Sequence, residues 1–374
     1  MASNVTNSAV RSGAPVERIS VSAYNIPTAT PYETDGTAKW DKTTLVLVEI
    51  EAGGKRGLGY SYADTATATM IKDTLASVVV GHDVMQGGKI WAKLVGTIRN
   101  MGRPGISAMA ISAVDNALWD VKAKLLDVPL VTLLGAVRDA AELYGSGGFT
   151  SFSVPELQKH MAHWVEMGIP RVKMKIGRDP AADIERIRAV REAIGEKPEL
   201  FVDANGAYSR KQALAQAERF VQYGVTWYEE PVYHHDLEGL HLVRDRAPVE
   251  MEISAGEYGY DPMYFDTMLK ARAVDVLQAD CTRAEGITGF LVADGLCEAR
   301  MVALSTHCAP AQSLHAACAA KRIRNMEYFY DHVRIEEMLF EGVQKPVDGR
   351  LKPDLDRPGI GLEFKRSDAQ QFAV

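Results

Sequence analysis

The sequence predicts a parallel β/α barrel behind a smaller α+β domain. Three observations carry this. From about Ala141 onward, short β-type runs start near Leu143, Arg171, Leu200, Thr226, Glu252, Val274, Met301 and Asn325, and most gaps hold one amphipathic helix. Residues 16–135 have a different rhythm, strands first and helices after. The barrel-strand ends from the second to the eighth each carry an ionisable side chain, which is where a β/α barrel places its chemistry. A doubly wound open sheet is the competing architecture. Its usual Gly-rich phosphate loop has no convincing counterpart in Gly145-Ser146-Gly147-Gly148.

Along the chain, residues 1–14 are small and polar with no apolar stretch, and they read as a disordered tail rather than a signal peptide. Residues 15–138 form the first domain. Arg18–Ala23 is a strand pattern, and Tyr24–Lys42 is a loop rich in Pro, Thr and Gly. Thr43–Ile50 is a strong β run. Glycines at 53, 54, 57 and 59 then give a hairpin that closes with Gly59–Tyr62. Thr65 to about Leu133 is mostly helical, best seen at Ser107–Asp120, where apolar residues recur every three or four positions and make one buried face. Residues 139–355 form the barrel. In residues 356–374, Gly359–Glu363 reads as a short strand returning to the first domain.

Composition narrows the function. Of the 374 residues, 42 are Lys or Arg and 49 Asp or Glu, a net charge of −7 that argues against a nucleic-acid or anionic-membrane surface. No run approaches 18 uninterrupted apolar residues, so no membrane span is expected. Cys281, Cys297, Cys308 and Cys318 form no CxxC pair, which suggests idle thiols in a reducing cytoplasm rather than zinc or disulfides.

The strand ends hold the candidate site. Lys173 and Lys175 end the second barrel strand and share one face. Two neighbouring ammonium groups should depress each other's pKa, which suits one as a base. Asp203, Glu229 and Glu257 end the third, fourth and fifth strands. Three converging carboxylates call for a divalent cation, and an all-oxygen donor set points to Mg²⁺. Glu230 follows Glu229, and spacing alone does not decide which of them points inward. Asp280 and His307 end the sixth and seventh strands, where the carboxylate would fix the imidazole tautomer and raise its basicity. His234, His235, His315 and His332 read as structural. A Schiff-base lysine aldolase would need no carboxylate trio, and a non-catalytic metal-binding barrel would need no Lys175, His307 and Asp280 together.

This constellation resembles the mandelate racemase subgroup of the enolase superfamily (mandelate racemase/muconate lactonizing enzyme-like, of the acid-sugar dehydratase type) from about Val16 to the C-terminus. The segment Ala117-Leu118-Trp119-Asp120, with Leu133-Leu134-Gly135 after it, looks like the end of that family's capping domain. The resemblance implies a modified (β/α)7β barrel with one Mg²⁺ per subunit on Asp203, Glu229 and Glu257. It puts Lys175 in the base position, His307 with Asp280 as the second acid/base, and Lys173 as an electrophile. A protonated Glu327 would bond the substrate carboxylate, and Asn205 would contact substrate. The implied reaction removes the proton α to a carboxylate. Dehydration of an acid sugar to a 2-keto-3-deoxy acid ranks first, ahead of racemisation, epimerisation or lactone cycloisomerisation. By the same resemblance, the loop 24–42 and the turn 59–63 form a lid. Within it, Thr28, Thr30, Tyr32, Thr34 and Tyr62 suit a hydroxylated substrate, and Thr30, Tyr32 and Tyr62 are the expected contacts. The protein is expected to be a cytoplasmic homo-oligomer, a dimer or an octamer.

Overall fold

The computed structural model of the chain describes residues 13–374. The tail expected over 1–14 lies outside the described residues except for Gly13 and Ala14. Ala14 is already anchored, because its carbonyl accepts from Val84 N at 3.0 Å.

The first domain is built on β1 (Val16–Pro27), the short pair β2 (Glu33–Thr34) and β3 (Lys39–Trp40), then β4 (Lys42–Ala52) and β5 (Lys55–Tyr62). β1, β4 and β5 make an antiparallel sheet. The expected loop from Tyr24 is partly strand. Tyr24 to Pro27 stay in register with Leu45 to Lys42, because β4 is long enough to pair them. The rest of that loop is the β2–β3 hairpin. Its tip lies hard against the barrel: a Cβ on Gly36 would come within 2.3 Å of the Ala204 carbonyl.

Behind the sheet runs the helix Ile106–Leu125. It touches β5 so closely that a Cβ on Gly59 would stand 2.4 Å from Ala117 N. The sequence shows one apolar face, yet most of the helix is buried. Its polar residues dock on the barrel instead of facing water. Ser112 Oγ accepts from Gly286 N, Asp115 from Thr288 N and Asn116 Oδ1 from Ile287 N, at 2.9–3.0 Å. These satisfy the free amides at the start of the barrel helix Gly286–Arg300.

The second domain is a closed parallel barrel. Its strands are β6 (Ala141–Gly147), β7 (Arg171–Lys175), β8 (Glu199–Asp203), β9 (Val225–Glu229), β10 (Glu252–Ala255), β11 (Val276–Ala279), β12 (Ala303–Thr306) and β13 (Ile323–Phe329). They pair in chain order and β13 closes on β6. Each begins within about two residues of its expected start. Tyr144, Phe201, Trp227 and Val276 fill the barrel interior as a buried layer. Three short strands follow, β14 (Phe340–Glu341), β15 (Arg350–Leu351) and β16 (Glu363–Phe364).

The C-terminal segment touches the first domain, and the short strand within it is not part of that domain's sheet. β16 pairs with β14. Contacts with the first domain flank it: Leu130 N donates to the Gly359 carbonyl at 2.7 Å and Ile360 N to Asp120 Oδ1 at 2.8 Å, and Val374 N donates to the Ala23 carbonyl of β1 at 3.1 Å. Among the described residues no helix is long and apolar enough to cross a membrane.

Candidate active site

The site stands on the aromatic floor of the barrel. The Tyr144 ring lies 5.1 Å under Lys173 Nζ, and Trp227 Nε1 donates to Glu229 Oε2 at 3.1 Å. Above this floor the C-terminal strand ends converge, since parallel pairing of neighbours puts equivalent residues at one level. Lys175 is in register with Asp203, and Asp203 with Glu229.

Asp203, Glu229 and Glu257 each bring a carboxylate oxygen within 4.8 Å of the other two, all buried. It is Glu229 that joins this group, while Glu230, which follows in a left-handed backbone (φ 38°), is not part of it. Glu230 is buried, which pushes its carboxyl pKa well above the usual range, and the Glu257, Asp203 and Glu229 charges add to that. Burial pushes Glu229 up to about 8, with Asp203 as the next cause. Glu257 Oε2 is buried without a hydrogen-bond partner. Converging oxygens, strained protonation and an orphaned carboxylate atom all fit a hard divalent cation.

The two lysines differ from expectation. Burial disfavours their charge, but adjacent carboxylates outweigh it and both pKa values are raised. Lys173 Nζ lies 2.6 Å from Glu229 and 2.9 Å from Glu327. Lys175 is bonded to Asp203. Mutual depression of the two ammonium groups therefore loses to ion pairing. A cation on the three carboxylates would compete for those same oxygens and free the lysines. Glu327 also departs from the protonated acid expected of it. Burial favours its neutral form, but Lys173, His307 and Lys175 overcome this and hold it ionised. It accepts from Cys308 N at 2.8 Å.

His307 and Asp280 meet as their adjacent strands suggest, with Nδ1 to Oδ2 at 2.7 Å. Asp280 is itself held by Thr282 N and Oγ1 at 2.6 and 2.7 Å. His307 Nε2 lies 3.6 Å from Glu257 and 3.3 Å from Cys308 Sγ. Burial opposes the charge on His307, yet its pKa is raised, Glu257 being the main favourable cause and Asp280 adding a hydrogen bond. In barrel order Lys175 precedes the carboxylate trio and His307 follows it.

Part of this constellation borders a cavity of about 380 Å³, with Asp203 and Glu229 outside its lining. Of the expected contacts, Asn205, Tyr62, Lys175, His307, Asp280, Glu257 and Glu327 line it. Lys173 lies beneath, sealed by its own ion pairs. Thr30 and Tyr32 do not line it. They sit on the outer stem before the lid hairpin, where Thr30 Oγ1 donates to the Tyr32 carbonyl. Asp35 and Trp40 of the hairpin line the cavity in their place.

Sequence reasoning missed Arg283, Cys308, Asp331 and His332, which also line it. His332 was expected to be structural. It follows the end of β13 by three residues, and its stacking on Tyr62 of the other domain (centroids 3.5 Å apart) has no sequence signal.

Two family models match, one described as the mandelate racemase/muconate lactonizing enzyme N-terminal domain over residues 18–135, the other as enolase C-terminal domain-like over 156–369. The chain belongs to this family of the enolase superfamily. A mandelate racemase/muconate lactonizing enzyme-like protein from Rubrobacter xylanophilus superposes with a TM-score of 0.94 at 50% identity, covering 96% of this chain and 100% of that one. The L-talarate/galactarate dehydratase of Salmonella typhimurium is 32% identical over 96% of this chain and 91% of its own length. A crystal structure of that dehydratase liganded with Mg and L-lyxarohydroxamate superposes at TM-score 0.88, with 29% identity, over 100% and 96% of the two chains. The D-galactarolactone cycloisomerase of Agrobacterium fabrum is 29% identical over 92% of this chain and 95% of its own.

Proposed function

We propose that the protein is a Mg²⁺-dependent acid-sugar dehydratase. It removes the proton α to the carboxylate of a hydroxylated acid, and the resulting enediolate loses its β-hydroxyl as water. The enol left behind tautomerises to a 2-keto-3-deoxy acid. The observation that carries this reading is the pair of acid/base groups, Lys175 and the His307–Asp280 dyad, on either side of one carboxylate trio.

Asp203, Glu229 and Glu257 would hold the cation. When bound, Mg²⁺ stabilises negative charge developing on the substrate carboxylate. Lys173 and Glu327 lie beside that position, where the Lys173 ammonium favours the same charge. Asp280 accepts from His307 Nδ1–H and leaves Nε2 facing the cavity as the atom that exchanges a proton. Lys175 Nζ is the matching atom on the other side. One of the two takes the α-proton, and the other gives a proton to the departing hydroxyl. If both address the α-carbon, the outcome is epimerisation. The cycloisomerase among the relatives favours lactone isomerisation as the second reading. Four free cysteines accord with a reducing cytoplasm. We also read the protein as a homo-oligomer, which light scattering on an eluting column peak would test.

The test is proton NMR in D₂O with Mg²⁺ and pooled mono- and diacid sugars. Dehydration gives upfield, partly deuterated C3 methylene signals. Loss of an α-proton signal alone would replace the dehydratase by the epimerase reading. No change in any pool, with Mg²⁺ shown to be bound, would sink the proton-abstraction reading for those acids.

A further inference from the structure

The cavity has an inner end, where Lys173, Lys175 and His307 are each paired with a carboxylate, and a wall whose polar groups are not paired. Asp331 stands at the head of the helix Tyr330–Leu339, is buried, and has no hydrogen-bond donor on either carboxylate oxygen. Arg334 Nη2 makes a long ion pair with it at 3.8 Å and gives its hydrogen bond to the Pro27 carbonyl. Glu33 of the lid faces Asp331. Burial, then the Asp331 carboxylate, pushes Glu33 up to about 9, so Glu33 keeps its proton and can meet one Asp331 oxygen. The other oxygen is left over.

Beside Asp331, His332 Nδ1 accepts from Ala309 N at 3.1 Å. The ring proton is therefore on Nε2, and that N–H has no protein partner among the described residues. Tyr62, stacked on this ring, has a hydroxyl without a partner as well. Asp331, His332 and Tyr62 thus line one cavity, and the Asp331 oxygens and the Tyr62 hydroxyl are buried without a partner. Buried polar groups in this state are costly unless a ligand satisfies them.

A second carboxylate on the substrate would need a cation here. Besides its histidines, the cavity is bordered by Lys175, Arg283 and Lys42. Lys175 is paired with Asp203. Arg283 lies 3.6 Å from Glu257 and 3.7 Å from Asp280. Lys42 is exposed at the rim. Asp35 and Asp64 join Asp331 on the same cavity.

We propose that the wall of Tyr62, Asp331 and His332 reads hydroxyl groups, and that the substrate is a monocarboxylic polyhydroxy acid, an aldonate, rather than a dicarboxylic aldarate. This rests on the dehydratase reading above. An alcohol donates to Asp331 and accepts from His332 Nε2–H, whereas a distal carboxylate could only repel Asp331.

Matched pairs isolate the far end of the substrate. D-Gluconate against D-glucarate, and D-galactonate against galactarate, differ only at C6. With the Mg²⁺-loaded full chain, the aldonate of any pair turned over should be favoured by roughly 30-fold or more in kcat/KM. Asp331→Asn should shrink that ratio at least ~10-fold by improving the aldarate. An aldarate preference, or a wild-type ratio within about threefold of one, overturns the proposal whatever the variant does. Failure of every acid to turn over defeats the dehydratase reading instead. Calorimetric binding of the same pairs then decides the wall by itself, since tighter aldarate binding overturns it.

Discussion

The inner and outer parts of the cavity obey opposite electrostatic rules. Inside, each lysine and the histidine has a carboxylate partner: Lys173 with Glu229 and Glu327, Lys175 with Asp203, His307 with Asp280. On the lid side, Glu33, Tyr62 and Asp331 each keep a buried polar atom with no partner. Buried charge persists only when compensated. The cations of the inner part are therefore compensated by the protein itself, whereas the outer part keeps polar atoms that the protein leaves unpaired.

The sharpest way to break this contrast is to remove an acid/base group. Lys175→Ala and His307→Asn should each lower kcat at least ~10³-fold while Mg²⁺ binding, read by calorimetry, persists. Near-normal rates in both would remove the two-base mechanism.

Lys173→Met attacks the compensation itself. It leaves Glu229 and Glu327 buried without their cation, at a cost of about 3–5 kcal/mol that thermal or urea unfolding of the metal-free protein would show. Added Mg²⁺ should restore part of the loss, and an unchanged midpoint would mean that the pairing is not structural.

Gly59→Ala tests the contact on which the lid domain rests. A Cβ there would stand 2.4 Å from Ala117 N, so about 1–3 kcal/mol should be lost. A neutral result would show that β5 and its helix can separate cheaply.

A pH dependence is expected from Glu336, which ties the domains together by accepting from Tyr60 Oη at 2.6 Å and Ala311 N at 3.0 Å. Burial pushes its pKa up to about 8. A raised carboxyl pKa means that the folded state holds a proton the unfolded chain has released. Its contribution is full below about pH 4.5 and is lost as pH rises toward 8, at up to about 1.4 kcal/mol per unit for one group. Glu336→Gln should flatten the fall in melting temperature between pH 5 and 8. An equal slope in wild type and variant would assign it to other groups.

Legibility followed the same division. Lys173, Lys175, Asp203, Glu229, Glu257, Asp280, His307 and Glu327 were visible because each ends a strand, and strand ends follow from hydrophobic periodicity. Where the register was ambiguous, between Glu229 and Glu230, the grouping of Glu229 with Asp203 and Glu257 supplied the answer. Thr30 and Tyr32 were expected in the cavity because polar lid residues look alike in one dimension. Which of them face inward depends on the β2–β3 pairing and the seat of Gly36 on the barrel. The apolar face of the helix Ile106–Leu125 was legible in the same way, but not the docking of its polar residues on the barrel.

By itself, then, the sequence determined the alternation that closes the barrel and the type of charge at each strand end, because both are local properties of short segments. The tertiary structure alone decided the protonation of those charges. Lys175 is strengthened rather than weakened as an ammonium by Asp203, and Glu327 is ionised by Lys173, because Coulomb interactions depend on distances between strands. It also decided the outer wall, where Tyr62 of one domain meets His332 of the other across a separation that no local pattern encodes.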